Sequence, residues 1–158
     1  MCVSSYHQAQ RLFHRALGRA LKARNPDITI GLSDPGGSGL HHYYAHGEIA
    51  IEGSSITEGI GNSRITKNLA GSPVDISWQI PDSEAIPTAF NLVRNEGLVL
   101  GGSSGINVMG AVRLARELGR GHTIVTILCD SMLRYQERML NREFLESRGL
   151  SLPAWLDV

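Results

Sequence analysis

Apolar positions recur along this chain in two rhythms. Between residues 8 and 24, Leu12, Phe13, Ala16, Leu17, Ala20 and Leu21 fall at intervals of three and four, which predicts an amphipathic helix. Asn25-Pro26-Asp27 stops it. The run 28–32 predicts a buried strand, ended by Ser33-Asp34-Pro35 and the turn Gly36-Gly37-Ser38-Gly39. A short helix over 39–46 precedes a loop at 52–61 that mixes glycine, hydroxyls and the carboxylates of Glu52 and Glu58. A small helix at 63–69 leads to Ser72-Pro73, and 75–80 predicts a second strand. Asp82 has the character of an N-cap, with Glu84 in the first turn of a helix reaching about residue 95. Pro87 is tolerable there only because it falls early. After Glu96-Gly97, the apolar run 98–100 predicts a short strand.

That strand feeds Gly101-Gly102-Ser103-Ser104-Gly105-Ile106-Asn107, and a helix over 105–117 follows, with Ile106, Val108, Met109, Val112 and Leu114 on its inner positions. Gly119 and Gly121 end it. The run 122–129 (HTIVTILC) is rich in β-branched residues and predicts a central strand. Asp130-Ser131 can cap a helix over 132–140; a last helix covers 142–147, and residues 152–156 pack on the surface. Strands alternating with helices predict an α/β fold: an open, mostly parallel sheet with helices on both faces. Such sheets bind ligands beyond the carboxyl ends of their strands, where the 101–107 motif, the 52–61 loop and Asp130-Ser131 all fall. Glycines there would let the backbone approach a ligand, and the first helical turn offers free N–H groups. Alternatively, Ser103 or Ser104 merely caps the helix.

Composition narrows the partners. The 158 residues carry 15 basic and 15 acidic side chains, so the chain is neutral and lacks the basic excess that nucleic acid or an anionic membrane requires. It is long enough for one domain with a real core. Cys2 and Cys129 sit in unlike contexts; a buried free thiol at Cys129, a reducing compartment and a cytoplasmic location are expected. No run is long enough for a transmembrane helix, and residues 1–15 lack the apolar core of a signal peptide.

Several chemistries can be set aside on spacing. Gly101, Gly102 and Gly105 lie too late and are wrongly spaced for a dinucleotide fingerprint, and no Gly-Lys-Ser/Thr exists for a P-loop. His41, His42 and His46 cluster without a Cys, Asp or Glu beside them to complete a metal set. No elbow motif supports a serine nucleophile, and the apolar run around Cys129 predicts an inert thiol.

Taken in order, Ala20-Leu21-Lys22 with Asn25-Pro26, Ser33-Asp34-Pro35, EGSSITEGIG at 52–61, the 101–107 motif, Ala111 to Ala115, HTIVTILCD at 122–130 and Arg134-Tyr135 resemble the C-terminal half of the cysteine synthase and cystathionine β-synthase family. The run 144–150 with Pro153 and Trp155 resembles the family's bacterial tail. The resemblance covers roughly 17–157, leaving 1–16 as an unmatched segment and 17–158 as a partial domain. It implies the large domain of a fold type II enzyme that uses pyridoxal 5'-phosphate to join an O-activated serine, such as O-acetylserine, to sulfide. By the same resemblance Ser103 stands at the cofactor's pyridine nitrogen, Gly59 and Gly61 belong to a loop facing the cofactor-bound substrate, and Asp130 falls near the pyridine-nitrogen side. A neutral serine there leaves the ring nitrogen largely unprotonated, which suits β-elimination and replacement. The family also implies an amino-acid substrate and a dimer.

Three departures qualify this. The family's cofactor-bearing lysine lies in its N-terminal half, and Lys22 and Lys67, the two lysines here, match neither its motif nor its place. The asparagine for the ring hydroxyl, the Thr-Ser-Gly-Asn loop and the glycine-threonine phosphate loop are also unmatched; residues 1–16 contain no glycine. Met132 stands where the family has glycine, so the adjoining turn is expected to change. The expectation is therefore a truncated chain, inactive alone and without a catalytic residue of its own. The alternative is a non-catalytic subunit that docks on a full-length synthase or on a separate N-terminal half.

Overall fold

The computed structural model describes residues 8–156 apart from residue 68, with side chains from residue 15 onward. Helix α1 (Gln8–Arg24) ends in Lys22 and Arg24, whose charges suit the C-terminal end of the helix dipole. Asn25 closes the turn by accepting the Asp27 N–H on its side chain at 3.1 Å. Strand β1 (Gly31–Pro35) follows, later than the apolar run placed it, and all five of its residues are buried. Then come α2 (Leu40–His46), β2 (Ile76–Ile80), α3 (Asp82–Glu96) and α4 (Gly102–Leu118). A 3₁₀ turn over Met132–Tyr135, α5 (Gln136–Met139), α6 (Arg142–Glu146) and a final 3₁₀ turn over Ala154–Leu156 complete the order.

β1 and β2 pair in parallel, Gly31 with Ile76 through Pro35 with Ile80. Because side chains alternate across a strand, this register gives the two-stranded sheet two different faces. Leu32 packs with Leu40 of α2 and with Leu69 on one face. Trp78 and Ile80 pack with Ile106 and Leu114 of α4 on the other. A further cluster joins Ile86, Ala89 and Phe90 of α3 to Ile56, Met132, Met139 and Leu145. The sheet is thus parallel and covered on both faces, as the alternation of elements predicts.

Two expected strands do not form. Residues 98–100 make a single antiparallel bridge, Leu100 with Ser131, and 122–129 join no ladder among the described residues. β-branched side chains favour an extended backbone, but a strand also needs a partner edge. Here 126–129 is fixed by side chains of α4 instead. The amide of Asn107 donates to the Ile127 carbonyl at 2.7 Å, and Ser104 Oγ accepts the Cys129 N–H at 2.8 Å. The expected helix at 63–69 is a series of turns, and 132–140 divides into a 3₁₀ turn and a single α-helical turn.

Asp82 is not the N-cap of α3. Pro81 occupies that position, and the Asp82 carboxylate accepts from the Ser55 hydroxyl at 2.6 Å and the Ile56 N–H at 2.7 Å. Tertiary partners with unmet donors outcompete the local cap. Met132 is buried in the core with Phe90, and no described non-glycine residue has a positive φ, so its turn avoids the left-handed region. Cys2 and most of the unmatched 1–16 segment lie outside the described side chains. No described helix is long and apolar enough to cross a membrane.

Candidate functional site

The 101–107 segment is buried throughout. Gly101 takes the N-cap position of α4 in an extended conformation, with no side-chain cap bond. The helix therefore starts earlier than its apolar periodicity indicates, and Ser103 and Ser104 lie inside its first turn. The capping alternative for these serines falls away. The glycines act differently from expectation too, because their missing side chains make room for protein. A Cβ on Gly102 would stand 2.5 Å from Thr57 Oγ1, and one on Gly105 would stand 2.1 Å from the Ala85 carbonyl. Gly102 makes room for the Thr57 side chain of the 52–61 loop, and Gly105 lets α4 approach the α3 backbone directly.

The two serines then separate in role. Ser104 is spent on the Cys129 backbone. Ser103 is 1% exposed, and its hydroxyl has no hydrogen-bond partner among the described residues. It lies near enough to the Cys129 thiol to favour the thiolate slightly, but without hydrogen-bonding geometry. Cys129 is free but half-buried rather than buried, and desolvation outweighs that influence and pushes its thiol up. Thr57 Oγ1 and Asp130 Oδ1 are likewise buried without a partner. An orphaned buried hydroxyl costs about 1–3 kcal/mol, and a bound group with a matching polar atom would recover it. Ser103 therefore fits a contact to a ring nitrogen at the start of α4, where the helix end also offers N–H groups.

Asp130 and Ser103 are brought to the same turn. The Asp130 carbonyl accepts the Gly101 N–H at 2.9 Å, and its Oδ2 accepts the Tyr135 hydroxyl at 2.7 Å, with Arg134 Nε at 3.6 Å. With one carboxylate oxygen tied to Tyr135, Asp130 acts on the motif chiefly through its backbone. Gly59 and Gly61 belong to the other side. Gly61 has φ +82° and presses on β1's exit turn, where a Cβ would meet Pro35 and Ser38 at 2.8 Å. The 52–61 loop touches the α4 motif through Thr57 instead. A cleft of about 400 Å³ lies between loop and turn, lined by Pro35, Gly37, Ser38, Ser54, Thr57 and Ile60 among others. Glu58 pairs with Arg138 at 2.9 Å, fastening the loop to α5.

Of the clustered histidines, His46 is exposed and His41 and His42 are half-buried; the His42 and His46 rings meet at a tilt with centroids 4.5 Å apart, and His41 Nδ1 meets Ser77 Oγ at 2.9 Å. Sequence reasoning missed Asp34, the most perturbed acid. It is fully buried, and desolvation raises it to about 6 against the opposing bonds from His41, Ser38 and Leu40. The Asp34-x-x-x-Ser38 spacing across a glycine turn was the only local signal available.

The family model for pyridoxal-phosphate dependent enzymes matches residues 13–130. Cysteine synthase 2 of Schizosaccharomyces pombe is 38% identical over 156 residues, covering 89% of this chain and 40% of that protein. Cysteine synthase 1 of Neurospora crassa is 47% identical over 123 residues, covering 75% and 33%. Among solved structures, an O-acetylserine dependent cystathionine β-synthase from Helicobacter pylori superposes with a TM-score of 0.73 at 26% identity, over 87% of this chain and 42% of that one. The chain thus spans two-fifths or less of the length of these curated relatives.

Proposed function

Because this chain belongs to the pyridoxal-phosphate-dependent enzyme family, we propose that it supplies the ring-nitrogen side of a cysteine-synthase-type site for β-replacement on an O-activated serine. The observation that carries this reading is the Ser103 hydroxyl, buried at the first turn of α4 and without a hydrogen-bond partner among the described residues. When bound, pyridoxal phosphate supplies the electron sink that lets a β-leaving group depart and sulfide take its place. Ser103 would hold the ring nitrogen with a neutral hydroxyl and give it no counter-charge for a proton. Asp130 would set the turn that presents Ser103, and the Gly59–Gly61 segment would border the substrate side.

Neither lysine is placed to carry the cofactor. Lys22 Nζ is bound to Asp75 at 2.9 Å and donates to the Ile28 carbonyl at 3.0 Å, before the two strands begin. That is the opposite end of the parallel sheet from the loops that follow Pro35 and Ile80. Lys67 is exposed. We therefore propose that these 158 residues alone do not form cysteine. The test is to incubate the purified chain with pyridoxal phosphate, follow cofactor absorption, and assay cysteine from O-acetylserine and sulfide. Sustained turnover by the chain alone would overturn the reading.

One observation favours a second reading, pairing with a lysine-bearing N-terminal half. Val99, Val125 and Leu128 are 42%, 51% and 43% exposed; Val99 lies beside the single Leu100–Ser131 bridge, and the other two lie on 122–129, which joins no ladder among the described residues. An added strand would cover that apolar edge. Co-expression with such a half, followed by size-exclusion chromatography and the same assay, separates a completed site from a chain that stays alone and inactive.

A further inference from the structure

We propose that Asp34 and Ser38 form a positioning pair that fixes the Gly59–Gly61 segment against the end of β1; this rests on the reading of residues 52–61 as a wall of the cofactor site. Asp34 is the penultimate residue of β1 and is 0% exposed. Its Oδ1 accepts the Ser38 hydroxyl at 2.7 Å, and its Oδ2 accepts the His41 N–H at 2.8 Å. Ser38 Oγ also lies 3.1 Å from the Asn62 carbonyl and accepts the Asn62 N–H at 2.8 Å. A hydroxyl has one proton, and the shorter bond to the carboxylate takes it. That choice points a lone pair at Asn62, the residue directly after Gly61.

The backbone repeats the arrangement at both ends of the loop. Gly37 N–H donates to the Glu52 carbonyl at 2.8 Å, and Gly39 N–H donates to the Asn62 carbonyl at 2.9 Å. The turn 36–39 therefore grips the first and last residues of the 52–62 loop. Ser38 is its side-chain link, and Asp34 orients Ser38. Gly61 must lie flat on Ser38 for this to hold, since a Cβ there would come within 2.8 Å of Ser38 Cβ. A carboxylate is required because an amide oxygen alone cannot serve both the His41 N–H and the Ser38 hydroxyl from separate atoms.

The test is amide hydrogen exchange on the full chain, read at residues 59–62 and, as reference, in β2 and α3. Ser38→Ala is expected to speed exchange at Asn62 about tenfold without moving the reference amides, and Asp34→Asn to act in the same direction. Ser38→Thr, which keeps the hydroxyl, should restore protection. Unchanged exchange at 59–62 in Ser38→Ala, or a rise shared equally by β2 and α3, overturns the proposal. If Asp34→Asn does not fold, the two Ser38 variants still decide. Pyridoxal phosphate binding, followed by fluorescence on the same samples, is read separately. Loop-confined exchange changes uphold the pair whether or not the cofactor binds; absence of binding even after co-expression with a lysine-bearing N-terminal half removes only the functional reading beneath it.

Discussion

The start of α4 and the 52–61 loop have nearly the same composition, glycines interleaved with hydroxyls, yet glycine does opposite work in the two places. At Gly102 and Gly105 the backbone is helical, and a side chain would strike Thr57 or the Ala85 carbonyl. At Gly53 and Gly59 the φ values are +71° and +76°, and a Cβ on Gly53 would meet nothing within 4 Å. The first region uses glycine to save space; the second uses it to reach the left-handed conformation, with Gly61 doing both. Polar side chains divide similarly. Ser104 and Asn107 of α4 hold the backbone of 127–129, whereas Ser38 and Ser55 fasten the 52–62 loop. One wall of the site is set by packing and the other by a few polar fastenings.

The sharpest way to break this comparison is an alanine at each kind of glycine. Gly105→Ala should separate α3 from α4, with a loss of roughly 3 kcal/mol or more, because the obstacle is backbone that cannot rotate away. Urea denaturation would show it as a lowered midpoint, and a loss under 1 kcal/mol would mean the helix contact gives more easily than its geometry implies.

Next in size is the pH dependence set by Asp34. Its folded value of about 6 lies above the ordinary carboxylate value of 3.8, so the folded chain holds a proton that the unfolded chain releases between them. The stability this contributes is complete below 3.8 and is lost as pH rises through 6, a change on the order of 2–3 kcal/mol. Denaturation midpoints at several pH values should show that fall in the natural chain and not in Asp34→Asn. Parallel profiles would remove Asp34 as the source.

Gly53→Ala is expected to lose only about 1 kcal/mol, since the strain is conformational and space is open. A loss matching that of Gly105→Ala would erase the distinction between the two glycine roles. The smallest effect belongs to Ser103→Ala. Removing a buried hydroxyl without a partner should leave stability unchanged or raise it by up to about 1 kcal/mol, while weakening any binding of pyridoxal phosphate. A clear destabilisation would show that Ser103 has a structural partner and would take away the observation on which the functional reading stands.

Much of the architecture was legible because it is local. The 8–24 spacing, the Asn-Pro stop and the glycine after Glu96 marked helices whose ends the fold confirms to within a few residues. The 101–107 motif was legible as the start of a helix, and the family resemblance it carries agrees with the matched family model. The roles of its members were not. That Ser104 serves the Cys129 backbone, 25 residues away, and leaves Ser103 alone depends on where the 126–130 segment lies. The expected ladder at 122–129 failed for the related reason that composition sets backbone preference but not the neighbour.

The sequence by itself determined the helical periods, the parallel α/β class and the position of the motif, since these follow from spacing along one chain; the family came from the resemblance of its motifs and the matched family model. Only the tertiary structure decided which polar groups would find partners. Asp82 reached a loop 26 residues back, Ser38 reached Asn62 24 residues on, and Arg138 reached Ile56 across 82. Hydrogen bonds at such separations are chosen by burial, where most donors must be met, and that choice left the Ser103 hydroxyl without a partner among the described residues.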